Sequence, residues 1–451
     1  MNVSAPDAAR STVNQKRELR RVLLSSYLGS AIEYYDFLLY VAAASLVFGD
    51  LFFSNMPPVV ATLASLSTLA VGYLSRPLGA VIFGHYGDKI GRKSILVITL
   101  LIMGVSTALI GLLPTSNQVG ALAPILLVLL RFIQGISVGG EWGGAALMAF
   151  EHAPEDRRGF ASSFAQAGGP TGTMLAAAVL GLFALLPKDQ FMTWGWRIPF
   201  LLSAVLVAIG LWVRLRISES PLFVEEQRKQ VASGAKAAIP LMQVLRQPRA
   251  LILVFIALLS PFLFNSLLNS FGLTFAKSNG LELSSVLAIQ AAGGFACVVF
   301  QIVSGALSDR FGRTAVMTFG MVAGVLFTYP FLLLTSSGEF GKVLLAFVVM
   351  NAVAISPMYG PMAAYLSEQF RTGSRYTGAS LGYQAASTVG GGFGPMLLAT
   401  LIAAANGMGW GYILAFTVAI GVLSALAMWV LGRSRSAAAA ATLESIGVGS
   451  S

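Results

Sequence analysis

The sequence predicts an all-α integral membrane protein of twelve transmembrane helices, arranged as two pseudo-symmetric six-helix bundles. Three observations predict it. The 451 residues are 56% hydrophobic and only 11% charged, against roughly 25% charged in a soluble domain. About twelve apolar segments are each long enough to cross a bilayer as a helix rising about 1.5 Å per residue. One short polar loop occurs twice, at the same place in each half.

The apolar excess faces something other than water, and a bilayer fits. The net charge of +10 does not indicate nucleic acid, because no Lys/Arg run is interleaved with aromatics on a soluble domain. The basic residues stand at the ends of apolar stretches instead. The one cysteine, Cys297, is inside an apolar segment and reads as a small core residue. His85 and His152 lie at loop or helix ends, so no metal cluster can be assembled. No nucleotide-binding loop or other cofactor signature occurs, so ATP is not the energy source.

The apolar segments are residues 22–48, 59–83, 94–113, 122–150, 159–186, 196–217, 249–275, 284–307, 314–335, 341–366, 378–404 and 410–432. The first contains Glu33 and Asp36 and is too long and too charged for a cleaved signal peptide. Five regions follow: an N-terminal tail (1–21), a first six-helix bundle (22–217), a polar linker (218–248), a second bundle (249–432) and a C-terminal tail (433–451). The Ala/Ser/Gly-rich composition of 434–451 predicts disorder. Of the 29 Lys and Arg, the external loops hold only Lys188, Arg197, Lys277 and Lys342, and Arg76 and Arg131 lie inside spans. The rest fall on one side, which places both termini in the cytoplasm. Arg197, beside Trp194 and Trp196, reads as an interfacial anchor or as a substrate attractant.

The repeated loop reads Gly84-His-Tyr-Gly-Asp88-Lys-Ile-Gly91-Arg92 and then Gly305-Ala-Leu-Ser-Asp309-Arg-Phe-Gly312-Arg313. Glu151 and Arg158, between spans four and five, are echoed by Glu368 and Arg375, between spans ten and eleven. Duplication of a transporter half explains both echoes. The glycines permit a tight turn, and each Asp is free to face a helix N-terminus or a neighbouring Arg. These residues are expected to form a gating latch, not substrate contacts. Pro77, Pro124, Gly168-Gly169-Pro170, Pro261, Pro357, Pro361 and Gly390 to Pro395 are candidate hinges.

Five ionisable residues lie well inside spans: Glu33, Asp36, Arg76, Arg131 and Glu141. All are in the first half. The second half offers neutral groups: Asn265, Asn269, Gln290, Gln301, Asn351, Tyr359, Tyr365, Tyr383 and Gln384. Intramembrane charges are costly and are usually paired or functional. Proton coupling is therefore expected in the first half and neutral substrate contacts in the second. Glu33, Asp36 and Tyr40 fall within a ~60° arc of span one, and Arg131, Gln134, Val138 and Glu141 within a ~80° arc of span four. Arg131 is expected roughly 7 Å external to the span midpoint, and Arg76 and Glu141 roughly 7 Å to the cytoplasmic side. The expected pairs are Asp36 with Arg131, and Arg76 shared between Glu33 and Glu141. The alternative is a set of static ion pairs that only fix helix packing, with the glycine-flanked Glu141 its first candidate. Arg cannot release the proton, so Asp36 or Glu33 is the carrier.

Two intramembrane arginines favour an anion, which Arg grips with a two-pronged fork. The expected substrate is a small organic acid. The nearby carboxylates would equally suit a zwitterion such as proline or a betaine. Candidate substrate residues are Arg76, Arg131, Tyr40, Gln134, Asn265, Asn269, Tyr359, Tyr383 and Gln384. A non-transporting sensor of the same architecture is the alternative of another class, but the loops are too short for an output domain. An integral-membrane enzyme would need a nucleophile with its base, or a metal cluster.

The two loops resemble the signature loop of the major facilitator superfamily. Further pieces resemble its metabolite:proton symporter branch: Glu33-Tyr-Tyr-Asp36-Phe, Arg76-Pro-Leu-Gly79, Arg131-Phe-Ile-Gln134-Gly135, Gly139-Gly-Glu141-Trp-Gly-Gly144, Trp194-Gly-Trp-Arg197-Ile-Pro199 and Glu219-Ser-Pro221. The pair Tyr34-Tyr35 departs from that pattern. The resemblance implies a monomer in a bacterial inner membrane that moves a small molecule with a proton by alternating access.

Overall fold

In the computed structural model, residues 5–233, 240–404 and 410–445 are described. Among them the secondary structure is helical throughout, with no strand. The first half holds α1 (Ala5–Leu46), α2 (Pro58–Ile90), α3 (Arg92–Leu112), α4 (Leu122–His152), α5 (Arg158–Phe183) and α6 (Arg197–Leu215). The second holds α7 (Pro248–Ser278), α8 (Leu283–Phe311), α9 (Arg313–Ser336), α10 (Phe340–Ser367), α11 (375–404) and α12 (Gly411–Ser445). Two short helices, Pro221–Ser233 and Pro240–Leu245, occupy the linker between the halves.

Nine of these helices are long and apolar enough to cross a membrane on composition alone. The other three are α1, α5 and α11. They carry Glu33, Asp36, Gln166, Gln384 and a high share of Gly and Ser, which lowers their hydropathy. Those polar side chains are buried between helices. The outer surface is apolar: Leu326, Phe295, Leu74 and Trp429 are all more than half exposed. A soluble monomer rarely exposes so continuous an apolar band, and a bilayer covers it.

The halves meet along two equivalent seams, α2 against α11 and α5 against α8. Within the first half, α2 and α4 approach so closely that a Cβ on Gly79 would strike the Ile136 carbonyl, and one on Gly139 the Arg76 carbonyl. These glycines allow backbone contact where the charged residues sit.

Three features differ from the sequence expectation. The N-terminal tail is not separate from span one, because α1 begins at Ala5. The C-terminal tail is helical to Ser445, not disordered; its Ala-rich run favours helix once a preceding span nucleates it. Residues 1–4 and 446–451 of the two tails, and 234–239 of the linker, lie outside the described residues. The candidate hinges also divide unequally. Pro77 and Pro170 sit inside unbroken α2 and α5. In the second half π-helical turns interrupt α7 at Leu267–Gly272, α10 at Met350–Ile355 and α11 at Ser387–Gly392. Such turns often accompany functional sites.

Candidate substrate and proton site

Asp36 is fully buried on α1. Its Oδ1 accepts from Ser203 of α6 (2.5 Å) and its Oδ2 from Thr107 of α3 (2.7 Å). Thr107 Oγ1 in turn accepts from Gln134 Nε2 (2.8 Å), and Gln134 Oε1 accepts from Arg131 Nη1 (2.7 Å). The expected Asp36–Arg131 contact pair is thus replaced by a bridged one: no direct ion pair joins them. The reason is geometric. The Gln134 amide and the Thr107 hydroxyl fill the gap between Arg131 and Asp36.

Arg76 does not bridge Glu33 and Glu141 either. Its guanidinium lies over Tyr73 (4.3 Å) and Phe37 (4.9 Å). Arg131 lies over Tyr40 (4.1 Å) and, from another side, over the same Phe37 (5.2 Å). Aromatic faces hold a guanidinium without neutralising it. Among the described residues no carboxylate oxygen comes within 4.0 Å of either arginine. The Nε of each is buried and has no hydrogen-bond partner. Tyr40 donates to Thr68 (2.7 Å), which fixes the ring beneath Arg131.

Glu141 has found a different cation. It forms an ion pair with Arg214, which also donates to the Leu96 carbonyl, and Thr99 donates to Glu141 Oε2 (2.7 Å). Arg214 is fully buried, although its place at the end of span six groups it in the sequence with the arginines of the connecting loops. The pair packs over Gly29, one helical turn before Glu33; a Cβ there would meet both side chains. Glu33 is buried, and its Oε2 has no partner.

The neutral residues of the second half fall into two groups. Tyr383 of α11 stacks on Trp142 of α4 across the halves, with ring centroids 3.5 Å apart and planes at 12°. Trp142 Nε1 donates to Gln166 (2.7 Å), and Gln166 donates to the Tyr359 carbonyl (3.2 Å). Gln384 donates to the Val138 carbonyl (3.2 Å) and Tyr376 to that of Gly140 (2.7 Å). Together these form a seal between the arginine layer and the repeated loops. Tyr359 Oη and Gln384 Oε1 are buried without partners. Asn265 and Asn269 form a separate pair on α7, bonded to each other (2.8 Å). Sequence reasoning missed Thr107, Ser203, Tyr73, Phe37, Trp142, Gln166 and Arg214. Hydroxyls and aromatics are common in spans, and only the partners distinguish these.

At the loop-bearing end the repeat becomes a crossed clasp. Asp88, at the end of α2, accepts from the Tyr376 and Thr377 backbone N–H groups (3.2 and 3.0 Å) that open α11. Asp309, at the end of α8, accepts from Gly159 and Phe160 (2.7 and 2.8 Å) that open α5. Each carboxylate thus caps a helix of the opposite half, where the dipole favours negative charge. Arg92 pairs with Asp88 and Glu151 (3.5 Å each), and Arg375 reaches across to Glu151 (3.1 Å). Arg313 pairs with Asp309 (2.8 Å) and Glu368 (3.4 Å), and Arg158 with Glu155 (3.3 Å). Gly91 and Gly312 have φ of 107° and 90°, which only glycine adopts readily. Gly84 packs against Thr377, where a Cβ would collide. Arg197 caps the end of α3 instead, donating to the carbonyls of Gly111 and Leu113 (2.8 Å each).

The family model of the Major Facilitator Superfamily matches residues 24–395 and 272–446. The shikimate transporter of Escherichia coli (strain K12) is 42% identical over 387 residues, which is 85% of this chain and 88% of that one. The inner membrane metabolite transport protein YhjE of the same organism is 42% identical over 393 residues, 84% and 87% of the two chains. Among solved structures, the proton:xylose symporter XylE bound to 6-bromo-6-deoxy-D-glucose superposes with a TM-score of 0.73 at 21% identity, covering 92% of this chain and 96% of that one. A twelve-helix architecture, a duplicated clasp and these matches agree: the chain is a membrane transporter, not an enzyme, and belongs to the Major Facilitator Superfamily.

Proposed function

We propose that this transporter is a proton-coupled symporter that imports a small organic acid by alternating access. One observation carries the reading. Arg76 and Arg131 are buried side by side around Phe37, held by aromatic faces, with no carboxylate in contact among the described residues. Two guanidiniums with no carboxylate in direct contact, in a low-dielectric interior, suit a bound anion. The name of the shikimate transporter supports the same class, since shikimate is a cyclic carboxylic acid.

In this reading Asp36 carries the proton and Arg131 senses it. The seal at Trp142–Tyr383 and the clasp at Asp88 and Asp309 close the cytoplasmic path, so the site answers to the external side. Both termini lie in the cytoplasm, and the protein acts as a monomer in a bacterial inner membrane. Tyr359, Tyr383 and Gln384 supply neutral contacts from the second half.

The test is uptake into proteoliposomes under an imposed pH gradient, screened over carboxylic acids and betaines. An inward proton gradient should drive an acid, with shikimate the first to try. Stimulation by an outward gradient instead would overturn symport. The zwitterion reading rests on the partnerless Glu33 Oε2, which suits an ammonium group. A betaine or proline carried in preference to every acid would establish it.

A further inference from the structure

The four groups from Arg131 to Asp36 form a chain whose direction is fixed by chemistry. A guanidinium has donors and no acceptor. Arg131 must therefore face the Gln134 oxygen, which turns the amide nitrogen toward Thr107. Thr107 Oγ1 receives that N–H, so its one hydrogen points onward. Two acceptors lie in reach: Asp36 Oδ2 at 2.7 Å and the Met103 carbonyl at 2.9 Å. Arg131, Gln134, Thr107 and Asp36 are all buried, so no bulk water competes for these bonds.

We propose that Gln134 and Thr107 are positioning residues that relay the charge state of Asp36 to Arg131. With Asp36 ionised, every dipole in the chain points from the cation to the carboxylate. When Asp36 takes up a proton on Oδ2, that O–H donates to the second lone pair of Thr107. The Thr107 hydrogen then swings to the Met103 carbonyl. One proton has been gained and no other bond to hydrogen has been broken. Arg131 no longer feels an anion at the end of the chain, and its free N–H groups turn to a substrate carboxylate. The order that follows is proton first, anion second. Aligned hydrogen bonds in a dry interior reinforce one another, so the relay adds to what the two charges would exchange through space.

The surroundings leave few competitors for this control. Arg131 of α4 is the charged group that acts on Asp36, and α3 and α6 present the hydroxyls of Thr107 and Ser203. Tyr35, on α1 itself, is the neighbouring titratable group. The Glu141–Arg214 pair faces Glu33 instead.

The inference rests on the proton-coupled reading, but its test needs no substrate. Infrared difference spectra of the full-length protein in liposomes follow the protonated-carboxyl band that disappears in Asp36→Asn. In the otherwise unaltered protein, Arg131→Met should raise the proton affinity of Asp36 about tenfold, within the range of typical coupling between sites. In a Gln134→Leu background the same change should have less than about a twofold effect, because the relay is already cut. An equal effect of Arg131→Met in both backgrounds would overturn the relay and leave only through-space attraction. Thr107→Val is the replacement background should Gln134→Leu not fold, with Thr107→Ser expected to restore the coupling. Lack of uptake of every carboxylic acid screened would count against the acid reading alone, and absence of any Asp36 titration between about pH 4 and pH 10 would overturn the relay and Asp36 as carrier, leaving Glu33 to couple the proton.

Discussion

The two halves share a clasp and differ in what they bury. Asp88 and Asp309 do the same work at equivalent places, each capping a helix of the other half. Yet the buried charges among the described residues, Glu33, Asp36, Arg76, Arg92, Arg131, Glu141, Glu151, Arg214 and the side chain of Asp88, all lie in the first half. Burying charge is expensive in any interior and more so in a bilayer. A duplicated chain that keeps this cost in one half only has divided its labour. On the proposed reading, one half holds the groups that change charge, and the other supplies neutral contacts and spans interrupted by π-helical turns. The clasp needs both copies because it works between the halves.

The widest gap between the halves should appear on exchanging charges for neutral groups. Asp36→Asn or Arg131→Ala is expected to lower gradient-driven uptake by about 100-fold or more, the scale of losing a positioned proton-transfer group. Gln384→Ala in the second half should cost about tenfold or less, as one hydrogen bond does. Uptake under an imposed pH gradient, compared with counterflow at equal pH, measures both. If Asp36→Asn still accumulated substrate, Asp36 would not be the carrier and Glu33 would be next.

Second in size is the Glu141–Arg214 pair. Removing one partner strands a buried charge and should cost about 3–5 kcal/mol. Arg214→Leu is therefore expected to lower the melting temperature of the purified protein sharply. The double variant Glu141→Leu/Arg214→Leu should recover much of the loss, because an apolar pair of similar volume suits such a site. A double variant less stable than either single one would show that Glu141 has a role beyond packing. Arg214 also marks where sequence reading ran out. An arginine at the inner end of a span is what topology rules expect of a loop residue, and nothing local reveals that it turns inward to an acid on another helix. Asp36 and Arg131 were legible as intramembrane charges. Their connection was not, since it runs through Thr107 and Gln134 on two helices, and a hydroxyl in a span carries no signal of its partner. The architecture was legible for the opposite reason. Span length and the repeated loop are local patterns, and Asp88 and Asp309 stand four residues before their own arginines in both copies. Arg76 failed as a bridging residue because aromatic rings, which composition counts only as apolar, hold it instead.

A smaller contrast separates the two clasps. The Asp88–Arg92 side chains are 0% and 1% exposed, whereas Asp309 and Arg313 are 9% and 12% exposed. Glu219 and Phe223 of the linker cover the first clasp: Glu219 accepts from the Arg92 N–H (3.0 Å), and the Phe223 ring lies under the Arg92 guanidinium (4.6 Å). Water competes less for the buried pair, so Asp88→Asn should shift the balance toward the cytoplasm-open form by about 1.5–3 kcal/mol, the scale of a charged hydrogen bond. Asp309→Asn should shift it by about half as much. Spin-label distances between the clasp-bearing ends of α2 and α11, and of α5 and α8, report the populations. Equal shifts would mean that the linker does not shield the first clasp.

The smallest expected effect tests the neutral half directly. Among the described residues the Trp142–Tyr383 stack is the one ring-on-ring contact between the halves, and it carries no net charge. Aromatic pairs add about 0.5–1.5 kcal/mol beyond their buried area. Tyr383→Leu keeps the apolar volume and removes the stack, so the closed form should lose that much, a change of roughly 2- to 12-fold in the closed-to-open ratio. Its effect on the pH dependence of uptake should be nil, since Asp36 and its hydroxyl partners lie on α1, α3 and α6. That combination, altered populations with an unaltered pH profile, is what a division of labour between the halves demands. A pH profile that moved with Tyr383 would place part of the proton path in the second half, through the Tyr34 hydroxyl that interacts with Tyr383 beside Glu33.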